Sequence, residues 1–457
     1  MTQPTTIVWL RDDLRIADNP ALLTGAERAR ADRGELVVLY LLDEASPGIR
    51  PLGGAARWWL HHSLSALDDE LRARGGALTL LRGRAETVLP TLVRRIGAGT
   101  VLWNRRYGAS REIDARLKTA LREEGVEVES FSANLLVEPW TLTTASGAPY
   151  RVFTPFWRAA QQLPFREPAP APDELRGALV QGDALDDWGL LPARPDWAEG
   201  LRAAWVPGEA SAHRRLEHFV GHGLAEYHRR DEPAVDATSR LSPHLRFGEL
   251  SPLQLWHRLH GEVSPGARRN AAGFLREVGW REFSWHVLFH VPELATRNLR
   301  PEFDAFPWSP PSPDELAAWQ GGRTGIPLVD AGMRELWTTG SMHNRVRMVA
   351  ASFLIKNLLI DWRIGEQWFW DTLVDADEAS NPGNWQWVAG SGADAAPYFR
   401  VFNPELQAAK FDPDGQYQDR WVPERLGPEY PDPIVDLAQS RRRALAAFEQ
   451  VKNPHLG

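Results

Sequence analysis

The sequence predicts two folds in succession: a doubly wound α/β domain built on a parallel sheet, followed by an all-α domain. Three observations predict this. Over the first ~140 residues, short apolar runs alternate with helix-like stretches. From Phe165 to Gly208 the chain becomes rich in Pro, Ala and Asp (REPAPAPDEL, LLPARPDW). Beyond about Ala212 the pattern is mainly helical, with many Trp. The expected division is residues 1–135 for the α/β domain, 136–211 for a linker wrapping between domains, and 212–457 for the helical domain.

In order along the first part, Ile7–Leu10, Leu36–Leu42, Leu78–Leu81 and Val101–Trp103 read as buried parallel strands. Both faces of such a strand are covered, so its residues are apolar without alternation. The stretches near Pro20–Arg33, Ala55–Arg74, Ala85–Ile96 and Ser110–Glu124 read as the crossover helices, with Gly75–Gly76 and Gly97 at their ends. No GxGxxG follows the first strand and no GxxxxGK[ST] occurs anywhere, so the standard nucleotide-binding loops are missing. In the second part, Asn344–Trp362 (NRVRMVAASFLIKNLLIDW) reads as one long buried helix.

Composition narrows the function. A chain of 457 residues exceeds one hydrophobic core, and 43% hydrophobic with 25% charged residues is ordinary for a soluble protein. No apolar run approaches the roughly 20 residues that span a bilayer. The start, MTQPTTIVWLRDD, lacks the pattern of a secretory signal. The expectation is a cytoplasmic monomer without membrane contact. Zero Cys excludes disulfides, thiolate metal sites, iron–sulfur clusters and a Cys nucleophile. A net charge of −8 argues against DNA binding driven by bulk charge, yet leaves room for a local basic face. Only four of the 52 basic residues are Lys; Arg binds phosphate bidentately and stacks on rings, though codon composition also gives such a bias.

Trp is present 21 times, and twelve of these lie between Trp256 and Trp421. So many large, oxidisable rings serve as packed core, as a stacking platform for bases, or as an electron relay to a buried cofactor. Four stretches concentrate chemistry. Thr238-Ser239-Arg240-Leu241-Ser242-Pro243 gathers hydroxyls and an Arg before a Pro, which suits a phosphate or an ordinary helix cap. Glu277-Val278-Gly279-Trp280-Arg281-Glu282 sets a ring among charges, as a pocket wall or a surface helix would. Met342-His343-Asn344-Arg345-Val346-Arg347-Met348 holds two of the four Met in the chain, for an irregular pocket or for core filling. Asp375 to Trp387 combines acids, amides and two Trp, fit for the edge of a heteroaromatic ring or for an acidic loop. The pairs His218/His222 and His286/His290 have i,i+4 spacing but no evident third ligand, so no metal is expected.

Taken together and in this order, TSRLSPHLRFGELSP, WREF, TGIPLVDAGMRELWTTGSMHNRVRMVAASFLIKNLLIDWR, DADEASNPGNWQW and GADAAPYFRVFNP resemble the photolyase/cryptochrome family of flavoproteins. The N-terminal WLRDDLRIADNPAL fits the same family. YRVFTPFWRA and LVDADEASN look most like bacterial class III cyclobutane pyrimidine dimer photolyases. The resemblance implies an antenna-binding α/β domain and a helical domain holding FAD noncovalently. It implies that Thr238, Ser239, Arg240, Leu241 and Ser242, with Tyr227, Arg347, Asp375 and Asp377, bind FAD, and that Asn381 faces the flavin N5. Tyr227 stands one residue closer to Asp231 than the family spacing.

By the same resemblance, Glu277 contacts the lesion base, Trp280 stacks on the lesion, Asn344 touches flavin or lesion, and Met348 packs on the flipped dimer. Arg230, Arg281, Arg345, Arg400 and Gln407 fall where the family contacts DNA. Trp385, Trp362 and Trp308 match its electron-hopping triad. The implied antenna is methenyltetrahydrofolate, although Ser110-Arg111 does not match the Asn-Glu pair of some relatives. The implied reaction is light-driven electron transfer to a pyrimidine dimer flipped from UV-damaged DNA, since a damaged base is cheap to extrude. Two other family outputs are weighed against it. A cryptochrome-like photoreceptor would share FAD and the Trp chain but signal without repair, often through a long C-terminal tail not expected here. A (6-4) photolyase would need an active-site His pair that MHNRVRM lacks.

Overall fold

The computed structural model describes residues 5–261, 263–395 and 400–452. Five parallel strands, β1 (Thr5–Leu10), β2 (Glu35–Leu42), β3 (Leu78–Arg82), β4 (Ala98–Asn104) and β5 (Glu127–Phe131), form one sheet in the order β3-β2-β1-β4-β5. The helices α1 (Pro20–Ala31), α2 (Gly54–Arg72), α3 (Ala85–Ile96) and α4 (Ser110–Glu123) connect them. Asn19 starts α1 by accepting the N–H of Leu22, and Gly97, at φ 65°, ends α3. Val8, Val38 and Leu102 bury one face of the sheet, while Ile7, Val37 and Val101 bury the other. Four of the strands lie where the apolar runs predict them. β5 (EVESF) carries two acids and is only partly buried at the sheet edge, so it has no apolar run to reveal it.

The strand order reverses between β1 and β4, where a doubly wound sheet normally holds its ligand. Here the floor of the crevice is filled by the protein's own side chains. Asn104 donates to Asp13 Oδ2 at 2.6 Å and to Asn19 Oδ1 at 2.8 Å, and buried Arg11 pairs with Asp114 at 3.2 Å. The missing phosphate loop and this plug are two aspects of one design.

The predicted linker is divided between the two cores. Helix Phe153–Ala160 puts Phe153, Phe156 and Trp157 into the same cluster as Leu216 and Phe283 of the helical part. Trp188 and Trp205 pack instead against the α/β core. Apolar anchors every few residues let an otherwise irregular segment follow both surfaces. The seam between the two parts is closed at Gly248, whose φ of 65° and contact with the Asp12–Asp13 backbone leave no room for a Cβ. Buried Arg15 donates across that seam to the carbonyls of Gly248 and Ala133, each at 2.9 Å.

The long helix expected over Asn344–Trp362 is broken. An α-helix runs from Asn344 to Ser352, a π-turn from Phe353 to Asn357, and Leu359 then takes a positive φ of 58°. Trp362 instead opens a new helix, Trp362–Thr372, whose N-cap Asp361 accepts the N–H of Arg363. An uninterrupted apolar stretch shows burial but not direction.

Candidate functional site

Two distant stretches converge on Asp375. In the Thr238–Ser242 turn, Arg240 adopts a left-handed φ of 52° and Leu241 returns to the right-handed region, a pairing that turns successive N–H groups to one side. Ser239 Oγ accepts the N–H of Leu241 at 3.3 Å. Ser242 Oγ donates to Asp375 Oδ2 at 2.6 Å, and Arg347 donates to the same oxygen at 2.9 Å while its Nε holds the carbonyl of Met342. The other carboxylate oxygen, Oδ1, is buried without a partner among the described residues. A buried, unsatisfied anion oxygen beside Ser and Arg donors is costly unless a ligand supplies a donor. This neighbourhood of hydroxyls, guanidinium and acceptor suits the sugar-phosphate chain of a dinucleotide.

The other expected flavin ligands differ in placement. Asp377 Oδ1 accepts the N–H groups of Ala379 and Ser380, capping helix Ser380–Ala389. Tyr227 lies in the core with its ring edge-on to Phe219 and Phe274, so the ring the resemblance assigned to FAD serves packing. Asn381 donates through Nδ2 to the carbonyl of Glu366 at 3.1 Å and to its Oε1 at 2.7 Å.

A charged rim continues from there. Arg230 stands 3.7 Å from Glu277, whose carboxyl is raised above its ordinary value by burial. Arg345 pairs with Asp231 at 2.9 Å, lies over the Phe411 ring at 4.4 Å and approaches Met348 Sδ at 3.9 Å. Asn344 and Arg400 are exposed, and Gln407 keeps a buried Oε1 without a partner among the described residues. Trp280 lies flat on Phe153, with centroids 3.8 Å apart. Glu277, Trp280, Met348 and Arg345 thus belong to two helices, Arg268–His290 and Asn344–Ser352.

Arg281 departs from the expected DNA contact. It donates to the carbonyl of Asn134 at 3.1 Å and to Glu282 at 3.0 Å, facing the seam between domains. One residue along a helix turns the side chain by about 100°, so Trp280 and Arg281 cannot share a face. Each His pair has a ring nitrogen engaged within the protein: His286 Nε2 accepts the N–H of Tyr150, and His222 meets the carbonyl of His218. No group of three metal-ligating side chains occurs among the described residues.

The three predicted relay rings fall in one core. Trp385 and Trp362 are 2% and 0% exposed and belong to the same cluster, against which half-buried Trp308 packs. Gly365, one turn beyond Trp362, has no room for a Cβ against the Trp385 ring. Trp319 and Phe369 also touch Trp385 edge-on.

Sequence reasoning missed a cleft between the domains of about 1130 Å³, measured out to its open mouth. Tyr40, Arg106, Arg246, Trp285, Trp370 and Glu378 help line it. Burial raises the Glu378 carboxyl, whose Oε2 lies where a Cβ on Gly108 would fall, so a side chain there would displace it. The available signal was positional: ligands gather beyond the carboxyl ends of parallel strands, where Asp12, Asp43 and Arg105 stand in this chain.

Two family models match the chain: "DNA photolyase" over residues 6–173 and "FAD binding domain of DNA photolyase" over residues 274–426. The chain is 49% identical to a deoxyribodipyrimidine photo-lyase of Agrobacterium fabrum, with 98% of each chain covered. It is 36% identical to cryptochrome-1 of Arabidopsis thaliana, over 98% of this chain and 70% of that one. The crystal structure of a bacterial class III photolyase from Agrobacterium tumefaciens superimposes with a TM-score of 0.92 at 48% identity, over 99% of this chain and 98% of that one. No helix among the described residues is long and apolar enough to cross a membrane.

Proposed function

The chain belongs to the DNA photolyase family, and from that membership we propose which of its residues carry each part of the reaction. Its activity is light-driven repair of pyrimidine dimers in DNA, with FAD as cofactor. The single observation that supports the residue assignment is the Asp375 carboxylate, gripped on one oxygen by Ser242 and Arg347 and left open on the other.

FAD, bound and reduced, supplies the light-absorbing electron donor. Thr238, Ser239 and Arg240 would bind its phosphates through hydroxyl and guanidinium donors presented by the Arg240 turn, while Ser242, whose one hydroxyl hydrogen goes to Asp375, holds that carboxylate in place beside them. Asp375 accepts from its hydroxyl groups through Oδ1, and Arg347 balances the buried charge. Asn381 addresses the flavin ring with its amide. Trp280, braced from behind by Phe153, offers a flat face to the extruded dimer. Glu277, whose carboxyl burial raises above its ordinary value, would meet the polar edge of the base. Met348 fills the irregular space beside the dimer. Arg230, Arg345, Arg400 and Gln407 hold the DNA backbone. Trp385, Trp362 and Trp308 pass electrons inward when oxidised flavin must be reduced. The interdomain cleft takes a flat antenna chromophore, methenyltetrahydrofolate, against its Trp and Tyr rings.

The test is illumination of the reduced protein with oligothymidine containing cyclobutane dimers. Dimers should disappear in light and persist in darkness. Persistence in light would favour the photoreceptor reading, which the likeness to cryptochrome-1 keeps in view.

A further inference from the structure

One chain of contacts joins the interdomain cleft to Asn381. Asn381 has two amide hydrogens, and both are directed at Glu366, to its carbonyl and its Oε1. A carbonyl and a carboxylate only accept, so the amide cannot be turned round without losing both bonds. Asn381 therefore shows its free side an acceptor, Oδ1, and no donor. Glu366 is 2% exposed and is clamped by Arg50, Nη1 to Oε1 at 2.7 Å and Nη2 to Oε2 at 2.9 Å. Arg50 comes from the α/β domain, 316 residues away in sequence. It lies over the Trp370 ring at 4.1 Å, and Trp370 in turn donates to the carbonyl of Pro51 at 2.9 Å. Arg50 and Trp370 both line the cleft.

We propose that Arg50 and Glu366 are positioning residues that fix the Asn381 amide as a hydrogen-bond acceptor, and so set the reduction potential of the bound flavin from the α/β domain. A carboxylate this buried needs a counter-charge. Without Arg50 the carboxylate loses the bidentate clamp that orients it, and the amide it holds is freed to turn. An acceptor at the flavin N5 favours forms that carry N5–H, which are the reduced ones. The inference rests on the reading that Asn381 faces the flavin ring.

The experiment is redox titration of the FAD-loaded full chain, followed by absorbance, for wild type, Arg50→Met, Arg50→Lys, Glu366→Gln and Asn381→Ser. Arg50→Met should shift the oxidised-to-reduced ratio at least tenfold toward oxidised flavin, about 30 mV more negative for a two-electron couple. Arg50→Lys, which keeps the charge, should recover most of that shift. An unchanged potential in Arg50→Met alongside a shifted one in Asn381→Ser overturns the positioning role. Unchanged potentials in both overturn the placement of Asn381 itself. Should Arg50→Met fail to hold FAD, Glu366→Gln decides: it needs no counter-charge and can donate to Asn381, so an unshifted potential there overturns the proposal.

Discussion

Trp362 donates its indole N–H to Asn298 Oδ1 at 3.0 Å in a fully buried position. A neutral amide oxygen is a poor base, so an oxidised Trp362 has nowhere to lose its proton. The positive charge is better released outward, at half-buried Trp308, where water reaches the ring.

Trp308→Phe should therefore slow photoreduction of oxidised FAD by an order of magnitude or more. Repair by enzyme reduced beforehand should be nearly unchanged. Time-resolved absorbance of the flavin under blue light measures the first, and dimer loss measures the second. Wild-type photoreduction in this variant would send the electron through other rings touching Trp385, such as Trp319.

Arg345→Ala should weaken binding to damaged and undamaged DNA alike. Each phosphate contact contributes about one unit to the slope of log affinity against log salt. The variant's slope, from a fluorescence titration at several salt concentrations, should be shallower by about that amount. An unchanged slope would confine Arg345 to its pairing with Asp231.

Gly108→Val should expel the antenna and spare the flavin, because any side chain there meets the Glu378 carboxylate in the cleft wall. The purified variant should keep its FAD absorbance and lose near-ultraviolet absorbance from a second chromophore. Retention of that chromophore would place the antenna elsewhere.

Glu282 gives a pH signature. Burial pushes its carboxyl up to about 7 from 4.5, against the N–H bonds of Leu136 and Val137 and the neighbouring Arg281. Between those values the folded state holds a proton that the unfolded state has lost, so stability falls as pH rises and levels off above about 7. The loss amounts to about 3 kcal/mol over that range. Thermal melts from pH 4.5 to 8 should show this fall in wild type, and Glu282→Gln should lack that share of it. Parallel pH profiles would mean that Glu282 titrates as an ordinary carboxyl.

Much of the site was legible because its residues come in dense local runs. Asp375, Ser242 and Arg347 sit in stretches that stand out by composition, and the structure brings them within hydrogen-bond reach. A string of residues does not say that Trp280 and Arg281 occupy different helix faces, with Arg281 turned to Asn134 and Glu282. Nor does the sequence show that the Tyr227 ring is buried edge-on to Phe219 and Phe274.

The sequence by itself determined the order of the two folds, four of the five strands and the set of rings from which a relay could be drawn. Periodicity and local composition are properties of neighbouring residues, and they survive without coordinates. Only the tertiary structure decided that side chains fill the floor of the β1/β4 crevice, that a cleft opens above it between the domains, and that Arg50 clamps Glu366. These depend on pairs hundreds of residues apart, whose closeness follows from how the two cores pack along one seam. Local pattern carries no record of that distance.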